Sequence, residues 1–195
     1  MQEERDPGDP LSAVFEDLEQ QAAALHLEDR DAELADRVHG EYAEVTLGAR
    51  LHASLGHSVR LEFPGTGVAG LLEQVGEGWC RVRTLPAGAG AGAGAGAART
   101  WVVRVAAIVA VSGLSPRAVP DVALPAVARL GLRAAVRGLA EGGEPVVVRL
   151  LDGTERQLRL RRVGADFLEG EGPGPERALE TLLVPFDSVV GLHRA

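Results

Sequence analysis

The sequence predicts an α+β fold: an N-terminal helical extension followed by two small five-stranded β-barrels, each preceded by a helix. Three observations carry that expectation. The hydrophobic period changes from near 3.6 to 2 after Gly56, and it changes again after Gly143. The stretches "EQVGEGWCRV" (73–82) and "RRVGADFLEG" (161–170) lie eighty-eight positions apart, and each reads Val-Gly, two small or acidic residues, an aromatic, then an apolar residue. Later, "VRVAAIVAV" (103–111) matches "VPFDSVVGL" (184–192) at a separation of eighty-one. The shrinkage falls where the first copy carries the loop "PAGAGAGAGAGAA" (86–98), and a length difference confined to a loop is what a duplicated domain shows.

The elements follow in order. Leu11, Phe15, Leu18, Ala22 and Leu25 recur at helical spacing between Pro10 and the acidic cluster "EDRD", which predicts an amphipathic helix too short for a coiled coil. Leu34, Val38, Tyr42 and Val45 share one face of a second helical pattern that runs towards "TLGARLHASLG" and should stop near Gly56. "VRLEF" alternates as a half-buried strand does, with Val59, Leu61 and Phe63 on one face; "PGTG" is the turn. "VAGLLEQV", in which Gly70 permits a sharp bend, "WCRVRTL", "RTWVVRV" and "IVAV" supply four more strands. "GLSPRAVPDVALP", with three prolines, reads as a linker. Then the order returns: "AVARLGLRAAVRGLAEGG" as a helix, "VVVRL" as a strand, "DG" as a two-residue hairpin turn, and "RQLRLRRV", "FLEG", "LETLLV" and "VVGL" as the rest. The expected organisation is an acidic helical extension (1–40), a helix and barrel (41–113), a Pro-rich linker (114–125), and a second helix and barrel (126–195).

Composition narrows the function. All twenty basic residues are Arg. Without Lys, neither a P-loop nucleotide site nor Schiff-base or pyridoxal chemistry can be built. Residues 1–47 hold fourteen acids against three Arg, net −11, and the remainder is net +3, so the overall −8 belongs to the N-terminal part. An acidic extension on a mildly basic body can fold back, repel nucleic acid, or meet a basic partner. The polar, acidic start and the lack of an apolar run of membrane-spanning length lead us to expect a cytoplasmic protein with no membrane partner. One cysteine, Cys80, excludes an internal disulfide framework.

A helix followed by short, bent strands, with "LLDG" in the first hairpin, "RVGADF" at the second and "VPFDSV" between strands four and five, resembles the Sm-like family of small β-barrels, with SH3-like barrels as the wider class. The tandem plan also looks like that of uncharacterised proteins of high-GC Gram-positive bacteria. The resemblance spans residues 41–195. It implies barrels that can associate through their edges, so a homo-oligomer is possible, and a family in which RNA binding is common. The family's RNA contacts use a polar residue, commonly Asn, between strands two and three, and an Arg-Gly or Lys-Gly pair near strand four. Here those places read "VGEG" and "VGAD", then "VAA" and "FDS".

Other candidate sites resolve into structural readings. Gly90, Gly92 and Ala95 match a dinucleotide fingerprint formally, but no helix follows to face a pyrophosphate, so no cofactor is expected. The histidines at 26, 39, 52, 57 and 193 lack ligand spacing, so no metal is expected. No catalytic motif is present, and Cys80 falls within a strand without a base beside it, which points away from an enzyme. "VTLGARL" could open a second helix of a helix-turn-helix, yet only Arg50 there is basic while Glu41 and Glu44 stand upstream. The remaining candidate is an arginine surface on the second barrel. If Leu158 and Leu160 face the core, Arg159 and Arg161 project outward, with Arg149, Arg156 and Arg162 nearby. The leading expectation is a non-enzymatic binding or scaffolding protein whose partner is another protein. The alternative is a nucleic-acid-associated regulator using those arginines on phosphates.

Overall fold

The computed structural model describes residues 42–84, 98–174 and 178–195. The expected helical extension (1–40) lies outside them, as does all but the last residue of the Ala-Gly loop. Thr46–Ala195 form one compact unit. Among its described residues are two α-helices, α1 (Leu47–His52) and α2 (Leu132–Ala140). The strands are β1 (Ser58–Phe63), β2 (Thr66–Gly76), β3 (Trp79–Thr84), β4 (Thr100–Arg104) and β5 (Ala110–Ser112), then β6 (Val146–Leu150), β7 (Glu155–Val163), β8 (Phe167–Pro173), β9 (Leu179–Pro185) and β10 (Val189–Arg194).

These strands correct the expected fold class. They form one open ten-stranded sheet, ordered β5-β1-β2-β3-β4-β10-β6-β7-β8-β9, with antiparallel pairing throughout, rather than two five-stranded barrels. Alternation along a strand fixes which face is buried but not which neighbour takes its free edge. Here β4 pairs with β10 across the middle of the chain, through Gly191 opposite Val103 and His193 opposite Trp101, so one sheet contains both halves. The pairing rule is nevertheless the same on each side of that junction, since the last strand of each half returns to lie beside the first.

Two cores flank the sheet. One gathers Leu51, Leu61, Leu72, Val82 and Val103, and takes Val190 from β10. The other gathers Val136, Val146, Val148, Leu158, Leu168 and Leu192, and takes Trp79 and Val102 from the first half. Residues 101–103 and 189–193 are all buried, so the central pair is covered on both faces.

The repeated Val-Gly motif now has a physical reason. Gly76 and Gly164 stand at corresponding ends of the β2–β3 and β7–β8 hairpins, and each lies under the aromatic three residues on. A Cβ on Gly76 would sit 2.2 Å from Trp79 Nε1 and 2.6 Å from the Leu130 carbonyl oxygen; one on Gly164 would sit 2.5 Å from the Phe167 ring. Only a hydrogen fits beneath the ring. Trp79 Nε1 in turn donates to the Leu130 carbonyl at 2.7 Å, which ties the segment before α2 to the β2–β3 hairpin.

Local chemistry sets the other ends. Thr46 caps α1 by accepting from the Ala49 N–H at 3.1 Å. The expected long second helix breaks at Gly131: residues Ala126–Arg129 form a separate 3-10 turn, and α2 begins only at Leu132. The expected two-residue "DG" hairpin is a three-residue loop instead. Leu150 N–H bonds the Thr154 carbonyl, Gly153 N–H bonds the Leu150 carbonyl, and Gly153 takes φ +83°, the arrangement of a turn followed by a left-handed residue. The Pro-rich segment 114–125 is held against α1: Arg50 donates Nε and Nη2 to the Ser115 carbonyl, and Val119 N–H reaches the Ala49 carbonyl.

Gly76→Ala is expected to lower unfolding stability by about 1–3 kcal/mol, the range for overpacking a filled site. Gly164→Ala should cost less, because Phe167 is only half-buried and its ring can swing. Urea denaturation of both variants checks this; equal stability of Gly76→Ala and the parent would contradict the packing role.

Candidate functional site

The predicted arginines do not form one cluster. Arg149 lies on β6 near the β6–β7 hairpin, directly opposite Glu155, and its Nη1 donates to Glu155 Oε1 at 2.7 Å. Arg156 is exposed beside that hairpin, opposite Val148. Arg159, Arg161 and Arg162 lie further along β7, exposed and facing β8, while Leu158 and Leu160 are buried beneath them. A shallow groove of about 350 Å³ brings Arg159 and Arg161 beside Leu158, Glu171 and Leu179.

Carboxylates offset much of this charge. Arg161 Nη2 donates to Glu171 Oε2 at 2.7 Å, and the Glu171 carboxyl is held below the usual range by that hydrogen bond and by the nearby Arg159 and Arg161 charges. Arg159 stands across from Glu171, and Arg162 across from Glu169. Arg156, Arg159 and Arg162 make no ion pair among the described residues. The face is therefore mixed in sign, not a continuous cationic stripe of the kind that follows a phosphate backbone.

Arg161 also has a structural role. It is the extra residue of a bulge in β7, where the register shifts between Leu160 and Arg162. Glu73 is the extra residue of a bulge in β2, between Leu72 and Gln74. Each bulged side chain reaches the third strand of its half ten residues on, Glu73 to Arg83 and Arg161 to Glu171. The same cross-strand pair occurs with its charges exchanged.

The sheet's two outer edges differ. β5 offers three residues and closes at Gly113. Short edge strands are one way proteins blunt pairing with other chains. β9 is seven residues long and, among the described residues, pairs only with β8. Gly174 N–H bonds the Ala178 carbonyl, and Phe186 N–H bonds the Asp166 carbonyl. The register between them runs Phe167 to Pro185 through Pro173 to Leu179. Because hydrogen-bonded pairs alternate along an antiparallel ladder, residues 180, 182 and 184 bond inward to β8. The backbone groups of Leu179, Thr181 and Leu183 therefore point away from the sheet. Their side chains share one face, where Leu179 is 80% and Leu183 60% exposed. This edge escaped sequence reading, which took "LETLLV" as an ordinary strand. The available signal was Leu-x-Thr-x-Leu beside Leu182 and Val184, which leaves apolar side chains on both faces.

Among the described residues no three His, Cys, Asp or Glu side chains stand together as metal ligands. His52 keeps a pKa below its ordinary value because burial disfavours its charge, against the opposing pull of Asp121. The His193 ring is buried, 4.4 Å from the Trp101 ring, with Nδ1 against the Arg194 carbonyl. Cys80 is wholly buried, and burial pushes its thiol up to about 12. No helix among the described residues is long and apolar enough to cross a membrane. No protein-family model and no curated protein matches this chain.

Cys80 should resist a thiol-specific reagent in the native protein at neutral pH, reacting no faster than the chain unfolds, because the thiolate is the reactive form. Labelling followed by mass spectrometry, with and without denaturant, checks it. Rapid stoichiometric modification of the native protein would contradict a buried, unactivated thiol.

Proposed function

We propose that this chain is a non-enzymatic binding or scaffolding protein whose binding element is the open edge of β9. One observation carries the reading: a seven-residue edge strand turns the N–H groups of Leu179, Thr181 and Leu183 outward between two exposed leucines. Proteins usually blunt such edges with charge, proline or cover, and strand addition to one supplies main-chain hydrogen bonds for affinity and alternate side chains for specificity. The partner class is protein. The unpaired arginines nearby, Arg156, Arg159 and Arg162, suit acidic side chains on a partner at least as well as phosphates, since Glu169 and Glu171 already stand among them.

The same strand order in both halves, the bulges at corresponding places and the charge-exchanged pair support an internal duplication of a five-stranded unit. The resemblance to the Sm-like family belongs to that unit and to its motifs, not to any RNA contact.

Thr181→Pro removes one outward N–H without touching the bonds to β8, a position where an edge strand tolerates proline. Tagged parent protein captured from its native cells should retain a defined protein after nuclease treatment, and Thr181→Pro should lose it. Captured material that consists of nucleic acid, disappears with nuclease and is indifferent to Thr181→Pro would replace this reading with the arginine-phosphate one.

A further inference from the structure

We infer that the occupant of the β9 edge is a second copy of this chain, paired antiparallel with β9 about a two-fold axis at Thr181. The inference rests on the edge-binding reading and names its partner. An isologous contact requires one surface patch to be complementary to itself. With Thr181 opposite Thr181, Leu179 of each copy stands opposite Leu183 of the other. All three of these residues turn their backbone groups outward, so every outward N–H of Leu179, Thr181 and Leu183 in either copy meets a carbonyl. Pro185, which lacks an N–H, is left outside the ladder.

Side chains fit the same register. Two Leu-Leu pairs and a Thr-Thr pair share one face, combinations that favour cross-strand pairing. On the other face Glu180 meets Leu182, so no like charges are opposed. A register one residue later, centred on Leu182, sets Leu179 against Pro185 and Thr181 against Leu183, which loses all three matched pairs. The free edge at the far end of the sheet is a poorer occupant, because β5 has only three residues to offer against the seven of β9. The pairing covers the strand's two exposed leucines, Leu179 and Leu183, and joins two ten-stranded sheets into one.

The parent protein should sediment at twice its 20.4 kDa chain mass at tens of micromolar, and Leu183→Lys should sediment as a monomer with unchanged circular dichroism. Thr181→Cys gives an independent readout. Directly opposed hydrogen-bonded residues have Cα atoms about 5.5 Å apart, within disulfide reach. Mild oxidation should therefore yield a disulfide-linked dimer, while Val122→Cys, at a position 90% exposed, should not cross-link. The native Cys80 is buried and does not compete. A monomer at all concentrations, with Thr181→Cys cross-linking no better than Val122→Cys, overturns the two-fold pairing. So does an open-ended series of oligomers without Thr181→Cys cross-links, which would indicate end-to-end joining through β5. If either result came with a captured protein that Thr181→Pro releases, the binding edge would stand and only its occupant would be wrong. If nothing were released, both readings would fail.

Discussion

Strand β4 meets strand β10 at the middle of the sheet, and most of the structure depends on that pairing. Val102 points into one core and Val103 into the other, while Val190 and Leu192 of β10 divide in the same way. Neither core is complete without a side chain from the other half. Burial of both faces also removes the central backbone groups from water, where an unpaired group is costly, so the ladder between Val103 and Gly191 and between Trp101 and His193 must be made. Arg104 locks the end of the seam, donating Nε to the Val189 carbonyl at 2.8 Å and Nη2 to the Asp187 carbonyl at 2.7 Å.

Joining the halves at the centre leaves the sheet with edges only at its two outer strands. The β5 edge is short, and its neighbour β1 already pairs on both sides. The β9 edge is long, with its uncovered apolar side chains beside outward backbone donors. A closed arrangement of either half would have hidden such donors. The mixed-sign face of β7 and β8 then acts as a flank to the edge, with Arg159 and Leu179 bordering one groove.

Much of this was legible in the sequence. Most strand cores expected from alternation lie within strands, "IVAV" by its last two residues alone, because period-2 burial is a local property: Val59, Leu61 and Phe63 are buried while Arg60 and Glu62 are exposed. The repeated Val-Gly-x-x-aromatic motif marked two real hairpins, since ring and glycine must come as a set. What sequence could not supply was the partner of each edge. Nothing in "RTWVVRV" distinguishes a strand that closes on its own half from one that pairs with "VVGLHR", although consecutive apolar residues in both are consistent with burial on two faces. Helix α2 starts later than the apolar pattern predicts, because Gly131 interrupts a pattern that remains apolar on both sides. Alternation shows which arginines point outward but gives no register between strands; pairing Arg149 with Glu155 puts it at the far end of β7 from Arg161.

The shared seam makes a direct demand on unfolding. Trp101 packs in the first core and Trp79 in the second, so Trp101→Phe and Trp79→Phe leave a single fluorescent reporter in one core each. The first measurement is urea unfolding of Trp101→Phe and Trp79→Phe by fluorescence and by far-ultraviolet circular dichroism. A single transition in each, with the two probes coincident in each variant, is the result expected of one sheet closed at β4 and β10. If the Trp79 signal were lost at a denaturant concentration where the Trp101 core and half of the strand signal persisted, the halves would be independent domains and the central pairing would not hold the fold together.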